Sequence, residues 1–89
     1  MSNQGNWPLY TLEEVSVHNS EDDAWFIFNR SVYNATQHLR EIKELKTSTF
    51  LAIMRVLGTD CTEEMIEIRH SATALAMIDS FKIGEIKSI

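Results

Sequence analysis

The apolar residues of this 89-residue chain change their spacing near position 36. The stretch from Ala24 to Tyr33 holds two apolar runs on either side of Asn29-Arg30-Ser31, a pattern that predicts a β-hairpin with its turn at those three residues. Farther along, Leu39, Ile42 and Leu45 recur at three-residue steps between charged residues, which predicts an amphipathic helix. A chain with both patterns in succession is predicted to be an α+β domain, with helix pairs built around a small sheet.

Capping signals divide the flanking segments into further elements. Thr11 and Glu14 have the spacing of a capping box, which predicts a short helix, and the polar stretch from His18 to Asp23 predicts a loop. The cluster Thr47-Ser48-Thr49 predicts the end of the long helix and supplies caps for a second helix from Phe50 to Leu57.

The last third of the chain predicts another helix pair and a strand. Asp60 and Glu63 have the spacing of a second capping box, which would open a helix. His70-Ser71 interrupts the apolar pattern, and the stretch from Ala72 to Ile78 predicts one or two further helical turns. Phe81-Lys82-Ile83 alternates and predicts a closing strand.

The composition excludes several classes of protein. Eight Lys and Arg against 13 Asp and Glu give a net charge of −5, which is unfavourable for a general nucleic-acid binder and favours basic partners. The single cysteine, Cys61, excludes an internal disulfide and cysteine-rich zinc sites, and it fits a reducing compartment. No phosphate-binding loop or catalytic constellation is present, so we do not expect an enzyme.

The localisation that we expect is cytoplasmic, or that of a cytoplasm-facing domain of a longer protein. The first residues lack the basic start and apolar region of a signal peptide. The longest mostly apolar run, from Phe50 to Leu57, is far shorter than the ~20 residues that a membrane-spanning helix needs.

Several short blocks resemble the cytochrome b5 family, in the order in which that family has them. The blocks are Tyr10-Thr11-Leu12-Glu13-Glu14-Val15, His18-Asn19, Asp22-Asp23 with Trp25, Val32-Tyr33 with Thr36, Gly58-Thr59-Asp60-Cys61-Thr62, His70-Ser71 and Phe81-Lys82-Ile83-Gly84-Glu85-Ile86. The resemblance predicts an N-terminal extension at residues 1–9 and a cytochrome b5-like domain at residues 10–89. It implies a small mixed sheet and two helix pairs, which form the walls of a cleft for haem b between two axial histidines.

One of the two axial histidines of the family is present. His70 stands where the family has the second one, in the loop between the third and fourth helices of the cleft. A neutral imidazole is a good iron ligand, and the resemblance implies that the Ser71 hydroxyl bonds a haem propionate. Without the resemblance, a solvated loop histidine would be the ordinary interpretation of His70.

The other axial histidine is missing. The family marks it with His-Pro-Gly-Gly, and counting back from Gly58 places Lys46-Thr47-Ser48-Thr49 at that motif. The segment from Tyr33 to Lys46 is also longer than in the family by about four residues, a length that a connection between helices can absorb.

Three ways of completing the iron site remain open. Lys46 is in register, but its ammonium group would first have to lose a proton, at a cost of about 4.6 kcal/mol at pH 7. His38 aligns with an aromatic pocket residue about two helical turns earlier, and its ordinary interpretation is a polar residue on the helix flank. The third possibility is one-sided ligation by His70 alone, as in five-coordinate haem proteins.

The residues aligned with the haem-contacting positions of the family are mostly apolar. They are Phe28, Ala52, Ile53, Met65 and Ile68, with His38 and Arg69 as the exceptions. An apolar lining suits a porphyrin, but a helix pair needs the same lining to build a core. The sequence therefore supports two functions: a small haem b electron carrier, or a degenerate haem-free domain that serves as a protein-interaction module. If the iron had an open position, ligand binding or sensing would rank with electron transfer.

Acidic residues are predicted on helices near the mouth of the cleft. They are Glu41, Glu44, Glu63, Glu64 and Glu67. In the cytochrome b5 family, similar acidic rims dock basic electron-transfer partners, and long-range attraction of this kind mainly raises association rates. The ordinary alternative is a solvated helix face.

Overall fold

The computed structural model describes residues 6–68 and 70–87. Within these residues the chain forms five strands and five helices, which is the predicted α+β architecture. In chain order they are β1 (Leu9–Tyr10), α1 (Leu12–Ser16), β2 (Asn19–Ser20), β3 (Asp23–Phe28), β4 (Ser31–Asn34), α2 (Thr36–Ile42), α3 (Thr47–Met54), α4 (Thr62–Glu67), α5 (Ala72–Asp79) and β5 (Lys82–Ile86).

The strands form one mixed sheet in the order β1-β5-β4-β3-β2, in which β1 pairs parallel with β5 and the other neighbours are antiparallel. The predicted hairpin is β3–β4, and its turn residues Asn29 and Arg30 have φ angles of 53° and 69°. Two successive residues with positive φ suit the right-handed twist of a hairpin. Ser31, which was predicted to lie in the turn, pairs with Phe28 as the first residue of β4.

The sequence did not predict the two-residue edge strands. Strand β2 lies inside the stretch that was predicted to be a loop, and Leu9 of β1, paired with Glu85, lies just before the predicted domain boundary. Strand β1 depends on pairing with the distant β5, whereas β2 pairs with the adjacent β3. In both strands two residues are too few to show an alternating pattern.

Successive residues of β3 point to opposite faces of the sheet, as in any strand. On one face, Trp25 and Ile27 pack with Val15 of α1 in a cluster that we call the third cluster. On the other face, Ala24 and Phe26 belong to two further clusters. The first cluster consists of Ala24, Leu39, Ile42, Phe50 and Leu57, and the second of Phe26, Tyr33, Ala35 and Cys61. Helices α2 to α5 therefore cover one face, and α1 covers the other.

The first helix pair differs from the prediction at its connection. Helix α2 ends at Ile42, so Leu45 lies beyond it and is 84% exposed, although the three-residue spacing had placed it on the helix. Helix α3 begins with the hydroxyl residues 47–49 instead of following them, and Lys46 is its N-cap without a side-chain capping bond. The first-turn amides of a helix have no partner within the helix, so polar residues are tolerated there.

The second helix pair begins without the predicted capping box. Asp60 accepts a hydrogen bond from the Thr62 amide at 3.0 Å, but the N-cap of α4 is Cys61, whose side chain makes no capping bond. Asp60 is drawn towards the sheet because it forms an isolated bridge with Ile27, and the Cys61 amide donates to the Ile27 carbonyl at 2.8 Å. The predicted interruption at residues 70–71 is confirmed, since α4 ends at Glu67 and α5 begins at Ala72.

The capping box of α1 is fully formed. The Glu14 amide donates to Thr11 Oγ1 at 3.0 Å, and the Thr11 amide donates to Glu14 Oε1 at 2.7 Å. We expect Thr11→Ala to lower the free energy of unfolding by about 1 kcal/mol, because one amide of the first turn loses its acceptor. Urea denaturation measures this, and Thr49→Ala is the control, because Thr49 makes no capping bond in α3. Equal losses in the two variants would contradict the assignment.

Candidate functional site: a cleft between two helix pairs

The helices on the covered face of the sheet stand as two separate pairs. Helices α2 and α3 pack through the first cluster, which contains Leu39, Ile42 and Phe50. Helices α4 and α5 pack through the second cluster, which includes the half-buried Met65 and Ile78. Each pair packs in its own cluster, and the two pairs correspond to the two walls of the cleft that the sequence analysis predicts.

His70 lies on the connection between α4 and α5, at the wall formed by the second pair. Its side chain is half-buried. Within residues 6–68 and 70–87, the structure shows no hydrogen bond, ion pair or ring contact of this imidazole. The next residue is fixed by helix capping, because Ser71 Oγ accepts a hydrogen bond from the Ala74 amide at 3.1 Å. Among the described residues, therefore, none is bonded to the ring nitrogens of His70.

The predicted apolar lining is only partly covered by protein. Phe28, Ile53 and Met65 are half-buried, Ala52 is exposed, and Ile68 is 58% exposed. Ile53 packs against the first cluster, whereas Phe28 and Met65 pack against the second. Arg69 lies outside the described residues. Partly uncovered apolar side chains of this kind suit a flat apolar ligand.

His38 of α2 contacts the segment just before β5. The centroid of its ring lies 5.1 Å from that of Phe81, with a tilt of 38° between the planes. Phe81 packs against the second cluster, so its contact with His38 joins α2 to that cluster. His38 is thus a half-buried residue of α2. Sequence reasoning placed Phe81 in the closing strand and gave it no role at the site. The only sequence signal for such a role is that Phe81 is aromatic.

The environment of His38 favours its neutral form. Burial lowers the pKa of this imidazole, the nearby carboxylate of Glu41 opposes the effect, and the positive charge of Lys46 adds to it. A neutral imidazole keeps a lone pair on one ring nitrogen and a proton on the other, so it can accept or donate a hydrogen bond.

The connection between α2 and α3 brings no imidazole to its wall. Ile42, the last residue of α2, is only 7% exposed and packs with Leu39 and Phe50 in the first cluster. The Lys46 amide donates to the Ile42 carbonyl at 2.8 Å, while the Lys46 side chain is exposed. The added residues thus form a turn at the surface, and an aliphatic side chain fills the inner end of α2.

The acidic residues of the predicted rim are all exposed. Glu41 lies on α2, Glu44 in the turn after it, and Glu63, Glu64 and Glu67 on α4. The first helix pair is not net acidic, because residues 36–57 also carry Arg40, Lys43, Lys46 and Arg55, so the consistently acidic surface is that of α4.

Other reactive groups in the described residues offer little chemistry. Cys61 is buried, and desolvation, reinforced by Glu64 and Asp60, raises the pKa of its thiol to about 12, which keeps it protonated and unreactive. A surface cavity of about 340 Å³ is lined by residues that include Arg40, Phe81 and Lys82. No helix among the described residues is long and apolar enough to cross a membrane.

Comparison with known proteins gives consistent matches over nearly the whole chain. Residues 11–87 match the family model described as "Cytochrome b5-like Heme/Steroid binding domain". The chain is 38% identical over 86 residues to cytochrome b5 of Oryza sativa subsp. japonica, which covers 97% of this chain and 59% of that protein. It is 40% identical over 80 residues to the NADH nitrate reductase of Spinacia oleracea, covering 90% of this chain and 8% of that protein.

Solved structures agree with the sequence matches. Cytochrome b5 of Ostreococcus tauri virus 2 superposes with a TM-score of 0.71 at 29% identity, covering 88% of this chain and 95% of that one. Cytochrome b558 of Ectothiorhodospira vacuolata, at 24% identity and a TM-score of 0.70, has the same fold, with coverage of 89% and 98%.

Proposed function

This chain belongs to the cytochrome b5-like haem and steroid binding family, and from that membership we propose that it binds haem b in the cleft with His70 as an axial ligand. The observation that carries the proposal is the half-buried imidazole of His70, which has no partner among the described residues and lies beside partly uncovered apolar walls. When bound, the haem would supply a centre that gains and loses a single electron. The domain would then act as a small electron carrier.

The side chains around His70 fit this role. Ser71 Oγ accepts its capping bond from Ala74 and keeps its own proton, which it can donate to a haem propionate. Ile53, packed on the first cluster, and Met65, packed on the second, would exclude water from the ligand and so help to set its reduction potential. The site differs from the family pattern on the α2–α3 wall, where Lys46 is exposed and Ile42 is buried. We therefore propose one-sided ligation through His70.

Haemin titration tests the proposal. Purified protein is titrated with haemin, and the Soret absorbance is followed against a buffer blank to separate bound from free pigment. We expect saturation at one haem per chain. A featureless rise without a stoichiometric end point would contradict haem binding and would favour the second candidate function below.

The acidic rim supports a proposal about partners. We propose that basic redox proteins dock on the face that carries Glu63 and Glu64 of α4. Exposed charges act over a distance that falls from roughly 30 Å at about 0.01 M salt to roughly 8 Å at about 0.15 M. We expect the association rate constant with a basic redox protein to fall about tenfold or more across that range, because attraction at long distance is screened.

Stopped-flow mixing at several salt concentrations measures this rate. The double variant Glu63→Gln with Glu64→Gln should associate more slowly at low salt and show a weaker salt dependence. Glu13→Gln on α1, which covers the other face of the sheet, is the matched control and should behave as the unmodified protein. The control removes one charge and the double variant two, so if the control slows by half as much as the double variant, the attraction comes from net charge and not from this face.

A haem-free interaction module is the second candidate function. It is favoured by the packing of Ile42, which completes the first cluster without a ligand, and by exposed apolar residues such as Leu51 and Ile66. Exposed apolar surface of this kind is common where another protein binds. The haemin titration separates the two candidates, since a module of this type would fold normally and bind no haem.

A further inference from the structure

We propose that the surface cavity between α2 and the start of β5 binds a small organic carboxylate, a molecule with one anionic end and an apolar body. The cavity has a volume of about 340 Å³, and its lining comes from the end of β4, from α2 and from residues 80–83. This volume lies near the lower end of the roughly 300–1,000 Å³ of small-molecule sites. None of the lining residues is among those proposed to hold haem, so the inference does not depend on haem binding.

The charged residues that line the cavity are both basic. Arg40 of α2 and Lys82 of β5 contribute positive charge, and no carboxylate of the described residues belongs to the lining. In the whole chain, acidic residues outnumber Lys and Arg by 13 to 8. A cavity with only positive side chains in an acidic protein favours an anionic ligand.

Arg40 is the anchor for the anionic end. Its guanidinium makes no hydrogen bond, ion pair or ring contact with a described residue. The planar fork of a guanidinium matches a carboxylate and can bind it through two parallel hydrogen bonds. Lys82 is already engaged, because its Nζ bonds Glu85 Oε2 at 3.0 Å and lies 4.6 Å from the centre of the Trp7 ring. It therefore contributes a fixed positive charge beside the anchor.

Asn34 supplies a second donor. Its Oδ1 accepts hydrogen bonds from the Thr36 amide at 3.0 Å and from Thr36 Oγ1 at 2.7 Å. A backbone amide can only donate, so the oxygen of the Asn34 side chain must lie on that side, and the NH₂ group lies on the other. This NH₂ group has no partner among the described residues. The Ser80 hydroxyl, in contrast, already donates to the Met77 carbonyl at 2.5 Å.

Phe81 and Ile83 supply an apolar wall. Both side chains are half-buried. Phe81 is held in place by the second cluster and by the ring of His38, whose centroid lies 5.1 Å from its own. A fixed aromatic ring offers a surface on which an apolar or aromatic body can stack. An anion without such a body would leave this wall uncovered.

Benzoate is the probe for this site, and benzamide is its neutral analogue of the same shape. The isotope-labelled full chain is titrated at about 0.01 M salt, where charges are weakly screened, and the amide chemical shifts are followed by NMR. We expect shifts that saturate at one benzoate per chain and centre on residues 34–40 and 80–83. Benzamide should bind at least about tenfold more weakly, because hydrogen bonds to an ionised group are the stronger ones. Inorganic phosphate should also bind more weakly, since it does not cover the apolar wall.

Three variants test the assignment of the residues. Arg40→Gln should weaken benzoate binding at least about tenfold. Arg55→Gln is the matched control, because Arg55 is also exposed, has no partner among the described residues and lies outside the cavity. Asn34→Asp keeps the oxygen that Thr36 needs but adds a negative charge, so it should also weaken binding.

Four results would overturn the inference. Equal weakening in Arg40→Gln and Arg55→Gln would show that net charge alone attracts benzoate. Shifts that do not saturate, or that centre on another part of the chain, would show that the cavity is not a site. Benzamide that binds as tightly as benzoate would show that the carboxylate is not recognised, and phosphate that binds more tightly would show that the apolar wall takes no part.

Discussion

His70→Ala is expected to lower haem affinity at least about 100-fold. Replacing residues that merely support a metal ligand typically costs 10–100-fold in affinity, so loss of the ligand itself should cost no less. The apolar walls remain in the variant, and any residual binding would come from them alone. Titration with haemin in the presence of a competing haem-binding protein measures the change.

Two further measurements make this prediction specific. The haem-free His70→Ala protein should unfold within about 0.5 kcal/mol of the unmodified protein, because His70 has no hydrogen bond among the described residues. His18→Ala is the matched control, since His18 stacks on Trp25 at 3.6 Å and bonds Asp23 at 2.7 Å, away from the cleft. If His70→Ala binds haem as tightly as His18→Ala, His70 is not the ligand.

Leu39→Ala is expected to be the most destabilising single truncation that we consider. Leu39 is fully buried in the first cluster with Ala24, Ile42 and Phe50, and it anchors α2 to β3. Replacement of a buried leucine by alanine costs about 2–5 kcal/mol through lost burial and the cavity that remains. Such a loss is a large fraction of the roughly 5–15 kcal/mol that stabilises a typical domain.

Urea denaturation measures the loss as a lower midpoint with an unchanged slope. Leu45→Ala is the matched control, because Leu45 has the same side chain and lies just beyond the end of α2, 84% exposed. It should change the free energy of unfolding by no more than about 0.5 kcal/mol. A loss in Leu45→Ala equal to that in Leu39→Ala would show that α2 continues through Leu45, as the three-residue spacing predicted.

The parts of the fold that sequence reasoning predicted correctly are those with local signals. The β3–β4 hairpin follows from apolar runs around Asn29-Arg30, and α1 follows from the Thr11–Glu14 capping box. The connection that holds His70 was predicted because the apolar pattern stops there, and the structure adds that Ser71 caps the next helix. The assignment of His70 to an iron site needed the family resemblance, because a histidine in a loop has no local signal of function.

The incorrect predictions concern features that depend on distant contacts. Leu45 continues the apolar spacing of α2, but the helix stops at Ile42 because that residue and Phe50 complete the first cluster. Asp60 was predicted to cap α4, yet its bridge to Ile27 holds it beside the sheet. The contact between His38 and Phe81 joins residues 43 positions apart, and no local pattern indicates it.

The spin state of the haem-loaded protein is the most direct test of the central claim, which is that one wall supplies His70 and the other supplies no ligand. The visible spectrum is recorded at neutral pH in the oxidised and reduced forms. We predict a high-spin spectrum with broad bands. The sharp paired bands of low-spin iron with two histidine ligands would contradict one-sided ligation, and their persistence in Lys46→Ala but not in His38→Phe would identify His38 as the second ligand.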